Sequence, residues 1–215
     1  MIPGGLNAFF RYFFLPAAVF FRCAEAPVGA SETTSGVEIA VIETTVRGTT
    51  ASGATVMLFN KDYSSAGMRN HSDTAVADDT GFFDFTGLPA DTYNLFVFVN
   101  STKSAGAVLQ NIRIEPINGV KPYADTGAFS ALRTIAGTVS LQQQRVPGAQ
   151  VFIPGSPFST ETDPEGVFSF TGVPEGTYSV VVPPVRSWNG GGDSLPVDFT
   201  MTDEPTVFIE FDLKQ

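Results

Sequence analysis

Short runs in which apolar and polar residues alternate follow one another along most of this chain, for example at 37–46, 55–60 and 206–213. Alternation with a period of two places the apolar side chains on one face of a strand. No stretch of useful length shows the 3.6-residue period of an amphipathic helix. Between the runs Gly (21) and Pro (15) are frequent, as in turns. The pattern therefore predicts an all-β fold.

One longer pattern occurs twice, at 78–93 and 162–178. An acidic turn ends in glycine and leads into Phe-x-Phe, a Thr-Gly-aliphatic-Pro turn and a Thr-Tyr pair. From the glycine to the tyrosine the copies align without a gap at an offset of 85 residues. The repeat predicts two tandem Greek-key β-sandwiches, the first at 37–132 and the second at 133–215.

Each residue type in the repeated pattern has a role in folding. We expect Asp79 to bond its own backbone and Gly81 to adopt a positive φ. Pro89 should end its strand. Tyr93 should tie its hydroxyl to nearby backbone, as tyrosines at sandwich corners do. The run at 37–46 is predicted to be one strand, and the strands that flank the proline turn are predicted to pair as a hairpin.

Residues 1–23 resemble an export signal, with an apolar core too short to span a bilayer comfortably. Cys23 follows that core, as in a bacterial lipoprotein signal, where the cysteine is lipidated. Arg22 stands where that signal has a small residue. Ordinary signal-peptidase cleavage after Ala30 is the alternative. Residues 24–36 are predicted to be a flexible tether.

Composition narrows the possible partners and chemistry. The net charge of −10 disfavours binding to nucleic acid and to anionic headgroups. One cysteine and one histidine, His71, allow no intramolecular disulfide and no Cys/His zinc site. The sequence predicts no catalytic site, no metal and no cofactor.

The C-terminal copy carries a pattern that resembles the carboxypeptidase regulatory-like domain, also called peptidase-associated or transthyretin-like and similar to Cna-B surface repeats. Residues 37–132 match less closely. The resemblance implies a seven-stranded sandwich of the prealbumin type and a non-catalytic accessory module, often on exported bacterial proteins and lipoproteins. Some relatives share a starch-binding-like fold and bind glycans. The pattern consists of Ile135-x-Gly137-x-Val139, Gly148-Ala149-x-Val151, Thr162-Asp163-x-x-Gly166-x-Phe168-x-Phe170 and Gly172-Val173-Pro174-x-Gly176-x-Tyr178.

Other chemistries fit the residues poorly. A single histidine cannot supply a metallopeptidase site, and the first strands lack the lysine that an isopeptide staple of the Cna-B kind needs. The carboxylates of Asp78, Asp79, Asp163 and Glu165 could bind calcium, but the same residues are good turn formers.

Two features suggest a binding surface. Phe82, Phe96 and Phe98 correspond to smaller residues in the second copy, and a hairpin would place them together on one outer face. A patch of this kind is covered either by another part of the chain or by a partner. The alternative site is the glycine-rich loop of Trp188, since an exposed aromatic ring can stack on a sugar.

The sequence thus favours a non-enzymatic, exported structural or protein-interaction module, with a carbohydrate-binding accessory protein as the alternative. The expected partners are a cell-envelope protein or a polysaccharide, and the membrane through a lipid on Cys23. The expected location is the outer membrane or cell surface, and secretion or a periplasmic location is the alternative.

Overall fold

The computed structural model describes residues 35–64, 72–99, 105–115, 123–183, 196–201 and 204–213. All of them belong to one compact unit. We call the part up to residue 132 the N-terminal half and the part from residue 133 the C-terminal half. Where the chain is described, no helix is long and apolar enough to cross a membrane.

The described residues of the N-terminal half form nine strands, which build two sheets. The strands are β1 (Gly36–Ile42), β2 (Thr45–Thr49), β3 (Thr55–Asn60), β4 (Ser72–Val76), β5 (Phe82–Phe85), β6 (Asp91–Phe98), β7 (Ala105–Ile114), β8 (Tyr123–Ala128) and β9 (Ser130–Ala131). One sheet has the order β5-β2-β1-β8 and the other the order β4-β3-β6-β7-β9. Their facing sides enclose a hydrophobic cluster that includes Ile39, Leu58, Phe83, Tyr93 and Leu95.

The described residues of the C-terminal half form eight strands. They are β10 (Arg133–Leu141), β11 (Gln144–Arg145), β12 (Gln150–Phe152), β13 (Ser159–Glu161), β14 (Val167–Val173), β15 (Gly176–Val180), β16 (Val197–Met201) and β17 (Thr206–Leu213). In one sheet β10 pairs with β11, β14 and β17. The pairs β12-β13 and β15-β16 are joined by a bridge between Phe152 and Val181. The predicted all-β fold of sandwich sheets is confirmed, whereas the division into domains at residues 132 and 133 stays a prediction.

The two halves pair the Phe-x-Phe strand in the same way. Gly48 of β2 lies opposite Phe83 of β5, and Gly137 of β10 lies opposite Phe168 of β14. A Cβ atom at Gly137 would lie 2.6 Å from the Phe168 ring, so the phenyl group needs a residue without a side chain there. The glycine and the ring opposite it therefore belong to one packing unit.

The predicted strand at 37–46 is wrong, because the chain reverses within it. Ile42 pairs with Thr45, so Glu43 and Thr44 form a two-residue turn between β1 and β2. Glu43 has a φ of 54°, a conformation usually given to Asn or Gly in such turns. Val41 and Val46 are paired and both point inward although they are five residues apart, so the phase of the alternation changes at the turn.

The acidic turn is held by a different aspartate from the one predicted. The carboxylate of Asp78, not that of Asp79, accepts hydrogen bonds from the backbone N–H groups of Thr80 and Phe82 at 2.8 and 2.9 Å. The Thr80 hydroxyl donates to the same oxygen, and these bonds hold the pKa of Asp78 below its usual value. The positive φ predicted for Gly81 is confirmed at 81°.

The corner tyrosines behave as expected. The Tyr93 hydroxyl donates to the carbonyl oxygen of Pro89 at 2.9 Å, and the Tyr178 hydroxyl donates to that of Pro174 at 2.8 Å. Each bond fixes the proline turn against the strand that follows it. Burial raises the pKa of both tyrosines, and the nearby charge of Asp91 adds to the effect at Tyr93.

We predict that Tyr178→Phe lowers the free energy of unfolding by about 1–2 kcal/mol, because the buried Pro174 carbonyl loses its donor. Tyr93→Phe should cost about 1 kcal/mol for the same reason. Urea unfolding followed by circular dichroism measures both changes. Tyr63→Phe is the matched control, and an equal loss in all three variants would contradict the role of the corner bonds.

The raised pKa gives the wild-type chain a pH signature. The pKa of Tyr178 is higher in the folded chain than its ordinary value of 10.0, which applies to the unfolded chain. This difference in pKa stabilises the fold, and its contribution is fully present below pH 10. The contribution is lost as the pH rises through the folded pKa. The difference between wild type and Tyr178→Phe should therefore shrink above pH 10.

Candidate functional site

The outer face of the five-stranded sheet of the N-terminal half is covered by the C-terminal half. Phe59 and Phe96 lie on this face and are 5% and 1% exposed. Both belong to the hydrophobic cluster of the C-terminal half, together with Ile153, Phe170 and other core residues. One apolar core thus continues across the junction of the two halves, and we examine this junction as the candidate functional site.

Aromatic rings make the central contact of the junction. Phe158 of the C-terminal half meets Phe96 edge to face, with ring centroids 5.9 Å apart, and also packs against Phe170. The ring centroid of Phe59 lies 6.1 Å from that of Phe96, edge to face, and Phe98 stacks nearly parallel to Phe96 at 6.4 Å. These separations are in the range of favourable aromatic pairs. Phe96 is consequently enclosed by rings from both halves.

Backbone groups join the halves at one end of the junction. The Asn94 side-chain amide donates to the Gly155 carbonyl at 3.1 Å, and the Gly155 N–H donates to the Tyr63 carbonyl at 2.8 Å. Gly155 has a φ of 66°, and a Cβ atom there would lie 2.5 Å from the Asn94 amide nitrogen. Only glycine fits this approach without displacing its neighbours.

A second group of polar contacts lies near the connection between the halves. Gln110 donates to the Thr177 carbonyl at 2.7 Å, and the Glu175 N–H donates to the Ser130 hydroxyl at 3.1 Å. Arg133 pairs with the Glu175 carboxylate at 3.0 Å, with the arginine side chain mostly buried. Polar contacts therefore flank the aromatic centre on both sides.

The predicted patch of three phenylalanines is not formed, because β5 and β6 do not pair as a hairpin. Phe82 lies on β5, which pairs with β2, whereas Phe96 and Phe98 lie on β6, which pairs with β3 and β7. The two strands belong to opposite sheets of the sandwich. Phe96 is buried and Phe98 is half-buried against the C-terminal half. Phe82 remains 40% exposed, and its contact with a partner stays a prediction.

Other candidates from the sequence lie outside the described residues, namely Cys23, His71 and Trp188. Lipidation of Cys23 and sugar stacking on Trp188 stay predictions. Two of the aspartates considered for calcium are engaged in their own turns, since Asp163 accepts from the N–H groups of Glu165 and Val167 as Asp78 does from those of Thr80 and Phe82. Across the described ranges, no group of three or more His, Cys, Asp or Glu residues is arranged to hold a metal ion.

For Phe96 and Phe98 the structure bears out the expectation that another part of the chain covers the patch, and one signal for this junction was present in the sequence. At the offset between the copies, Phe96 takes the place of Val181. A larger aromatic residue on an outward-facing position indicates a face that is covered in one copy and not in the other. Nothing in the pattern indicated that Gly155 and Phe158 would supply the cover.

We predict that Gly155→Ala lowers the free energy of unfolding by about 1–3 kcal/mol more than Gly148→Ala does, because of the clash with Asn94. Gly148 is the matched control: it has a φ of 68°, and a Cβ there meets nothing within 4 Å. In both variants the alanine must adopt a left-handed backbone conformation, which costs about 1–2 kcal/mol. Urea unfolding measures the difference. Equal losses of unfolding free energy in the two variants would mean that the junction accommodates the added methyl group without loss of stability.

Pilin subunits are among the solved structures to which this chain is similar. Among solved structures, the minor pilin GBS52 of Streptococcus agalactiae aligns with 78% of this chain and 85% of its own, at 13% identity and a TM-score of 0.36. BcpA, the major pilin subunit of Bacillus cereus, aligns with 85% of this chain at 12% identity and a TM-score of 0.33. The alignment spans 60% of the BcpA chain.

A search of curated proteins gives no match. A family model does match the C-terminal half, in which the sequence pattern resembled the same family most closely. The same assignment for residues 37–132 stays a prediction. Residues 134–211 are thus similar to the carboxypeptidase regulatory-like domain.

Proposed function

We propose that this chain is a non-catalytic, exported structural module whose two halves act as one rigid body at the cell surface. The observation that carries the proposal is the hydrophobic cluster that crosses the junction and includes Phe59 and Phe96. A hinge between independently mobile domains would need a smaller and more polar interface. The family match at 134–211 supports an accessory role, because the family that it resembles consists of non-catalytic modules.

The partner in this proposal is a cell-envelope protein or polysaccharide. A net charge of −10 favours solubility of the protein and disfavours contact with anionic polymers. Attachment to the membrane is proposed through a lipid on Cys23, with cleavage after Ala30 and release as the alternative. Gly36 begins β1, so only the part of the predicted tether before it would separate the rigid body from the membrane.

Rigidity is tested by distance measurements between spin labels on the two halves. With Cys23→Ser as background, labels at Thr49→Cys and Glu161→Cys should give one narrow distance distribution by pulsed electron paramagnetic resonance. Phe96→Ala should broaden it and cost about 3–5 kcal/mol in unfolding free energy, because it removes the central ring. Phe82→Ala, an exposed ring on the opposite sheet, should leave the distribution unchanged and cost less than about 1 kcal/mol.

A label pair within the N-terminal half, Thr49→Cys with Asp73→Cys, controls for loss of the fold. This distribution should stay narrow in Phe96→Ala if only the junction has loosened. A broad distribution between the halves in the otherwise unchanged chain would overturn the rigid-body proposal.

Export is tested on the full chain expressed in a bacterial host, by mass spectrometry of the mature N-terminus. We expect a diacylglycerol-modified Cys23, and Cys23→Ser should then release the protein from the membrane fraction without changing its fold. Cleavage after Ala30 would contradict the lipid anchor and indicate that the protein is secreted. An unprocessed chain that stays in the cytoplasm would contradict export.

A further inference from the structure

A cleft of about 270 Å³ opens beside the junction, between the outer faces of the two halves. Met57, Phe59, Ser72 and Thr74 form the wall from the N-terminal half, on β3 and β4. Phe152 and the residues at 153–159 form the opposite wall and floor. The cleft exists only because the halves are held together, since neither half supplies both walls.

Its aromatic surface is fixed in place before any ligand binds. The Tyr63 N–H donates to the Asn60 carbonyl at 2.8 Å, and the Tyr63 carbonyl accepts from Gly155 at the same distance. The Tyr63 ring lies 5.0 Å from that of Phe59. Phe152 on the opposite wall is half-buried, so part of its ring faces solvent. A preorganised ring loses little conformational entropy on binding.

Hydroxyl groups line the mouth of the cleft. Ser72 and Thr74 are two positions apart on β4, so their side chains share one face. Both residues are exposed and line the cleft. The Ser156 hydroxyl, by contrast, donates to the Ile153 carbonyl and accepts from the Phe158 N–H, which holds the floor in its shape.

None of the described lining residues carries a charge, although the chain as a whole has a net charge of −10. Binding of an ion would leave its charge without a partner in the cleft. A neutral ligand with one apolar face and several hydroxyl groups fits both the rings and the hydroxyls. The volume suits a ligand of about one ring rather than a long chain.

The geometry points to a binding site for a neutral sugar ring in this cleft, with Tyr63 as the stacking platform and Ser72 and Thr74 as hydrogen-bonding groups. The site is distinct from the Trp188 loop, and it rests on the proposed rigid junction, because both halves supply its walls. A pyranose offers C–H groups to the aromatic ring and hydroxyls to the strand edge. The chemical class is a neutral hexopyranose, alone or at the end of a polysaccharide.

The test uses the full chain and the methyl glycosides of glucose, galactose, mannose and N-acetylglucosamine, followed by saturation-transfer NMR and calorimetry. At least one glycoside should bind with a dissociation constant of about 1 mM. Tyr63→Ala should weaken binding about tenfold or more, and Thr74→Val about threefold. Methyl glucuronide, the charged counterpart of the glucoside, should bind at least about tenfold more weakly.

Matched controls separate this site from the rest of the surface. Phe208→Ala removes an exposed ring on β17, which is 58% exposed, and should leave binding unchanged. Trp188→Ala should do the same. Thr74→Val changes an exposed strand residue, so its effect can be read even if Tyr63→Ala disturbs the fold. Absence of binding by all four neutral glycosides up to about 100 mM would overturn the inference. So would loss of binding in Trp188→Ala alone.

Discussion

The five-stranded sheet of the N-terminal half has two apolar faces, and the sandwich covers only one of them. The other presents Phe59, Phe96 and part of Phe98. Burying a phenylalanine is worth about 1.5–3 kcal/mol, so exposing these rings to water would cost a large share of the stability of a small domain. The C-terminal half removes the cost by placing Phe158 on Phe96. The polar contacts of Asn94 and Gly155 follow from that placement, because backbone groups brought into a buried interface must be paired.

The two halves therefore share the repeated pattern but differ in how their sheets are built. Both halves use the same glycine opposite the Phe-x-Phe strand and the same tyrosine corner. They differ in topology next to that strand. β17 pairs directly and in parallel with β10, whereas β1 lies between β2 and β8. The N-terminal half also has an apolar outer face on its other sheet, and the C-terminal half covers that face.

The part of this fold that the sequence could predict is the part governed by local rules. The tyrosine corners and the positive φ of Gly81 follow from turn chemistry, and the last strand follows from alternation alone; its predicted bounds match β17. The turn at Glu43 was missed because its residues lack the usual turn signals, although the alternation changes phase between Val41 and Val46. The Asp79 prediction failed because the carboxylate that caps the turn stands three residues before the glycine, at Asp78, not two.

The prediction that Phe82 and Phe96 lie on the same face was wrong for a different reason. Whether consecutive strands form a hairpin or cross between sheets depends on which faces the remaining strands bury, and alternation is identical in the two cases. The same limit applies to the cleft. Its residues are spread over four segments, and no local pattern connects Tyr63 with Phe152.

The cleft is a consequence of how two similar halves pack. Met57 and Phe152 hold equivalent positions, each four residues after the glycine that precedes its strand. Both lie on outer faces, and the contact through β6 and the loop before β13 brings those faces toward each other without closing them at the edge strands. Ser72 and Thr74 on β4 and Ser159 on β13 all line the cleft. Neither half alone supplies both walls, so this cleft depends on the packing of the two halves.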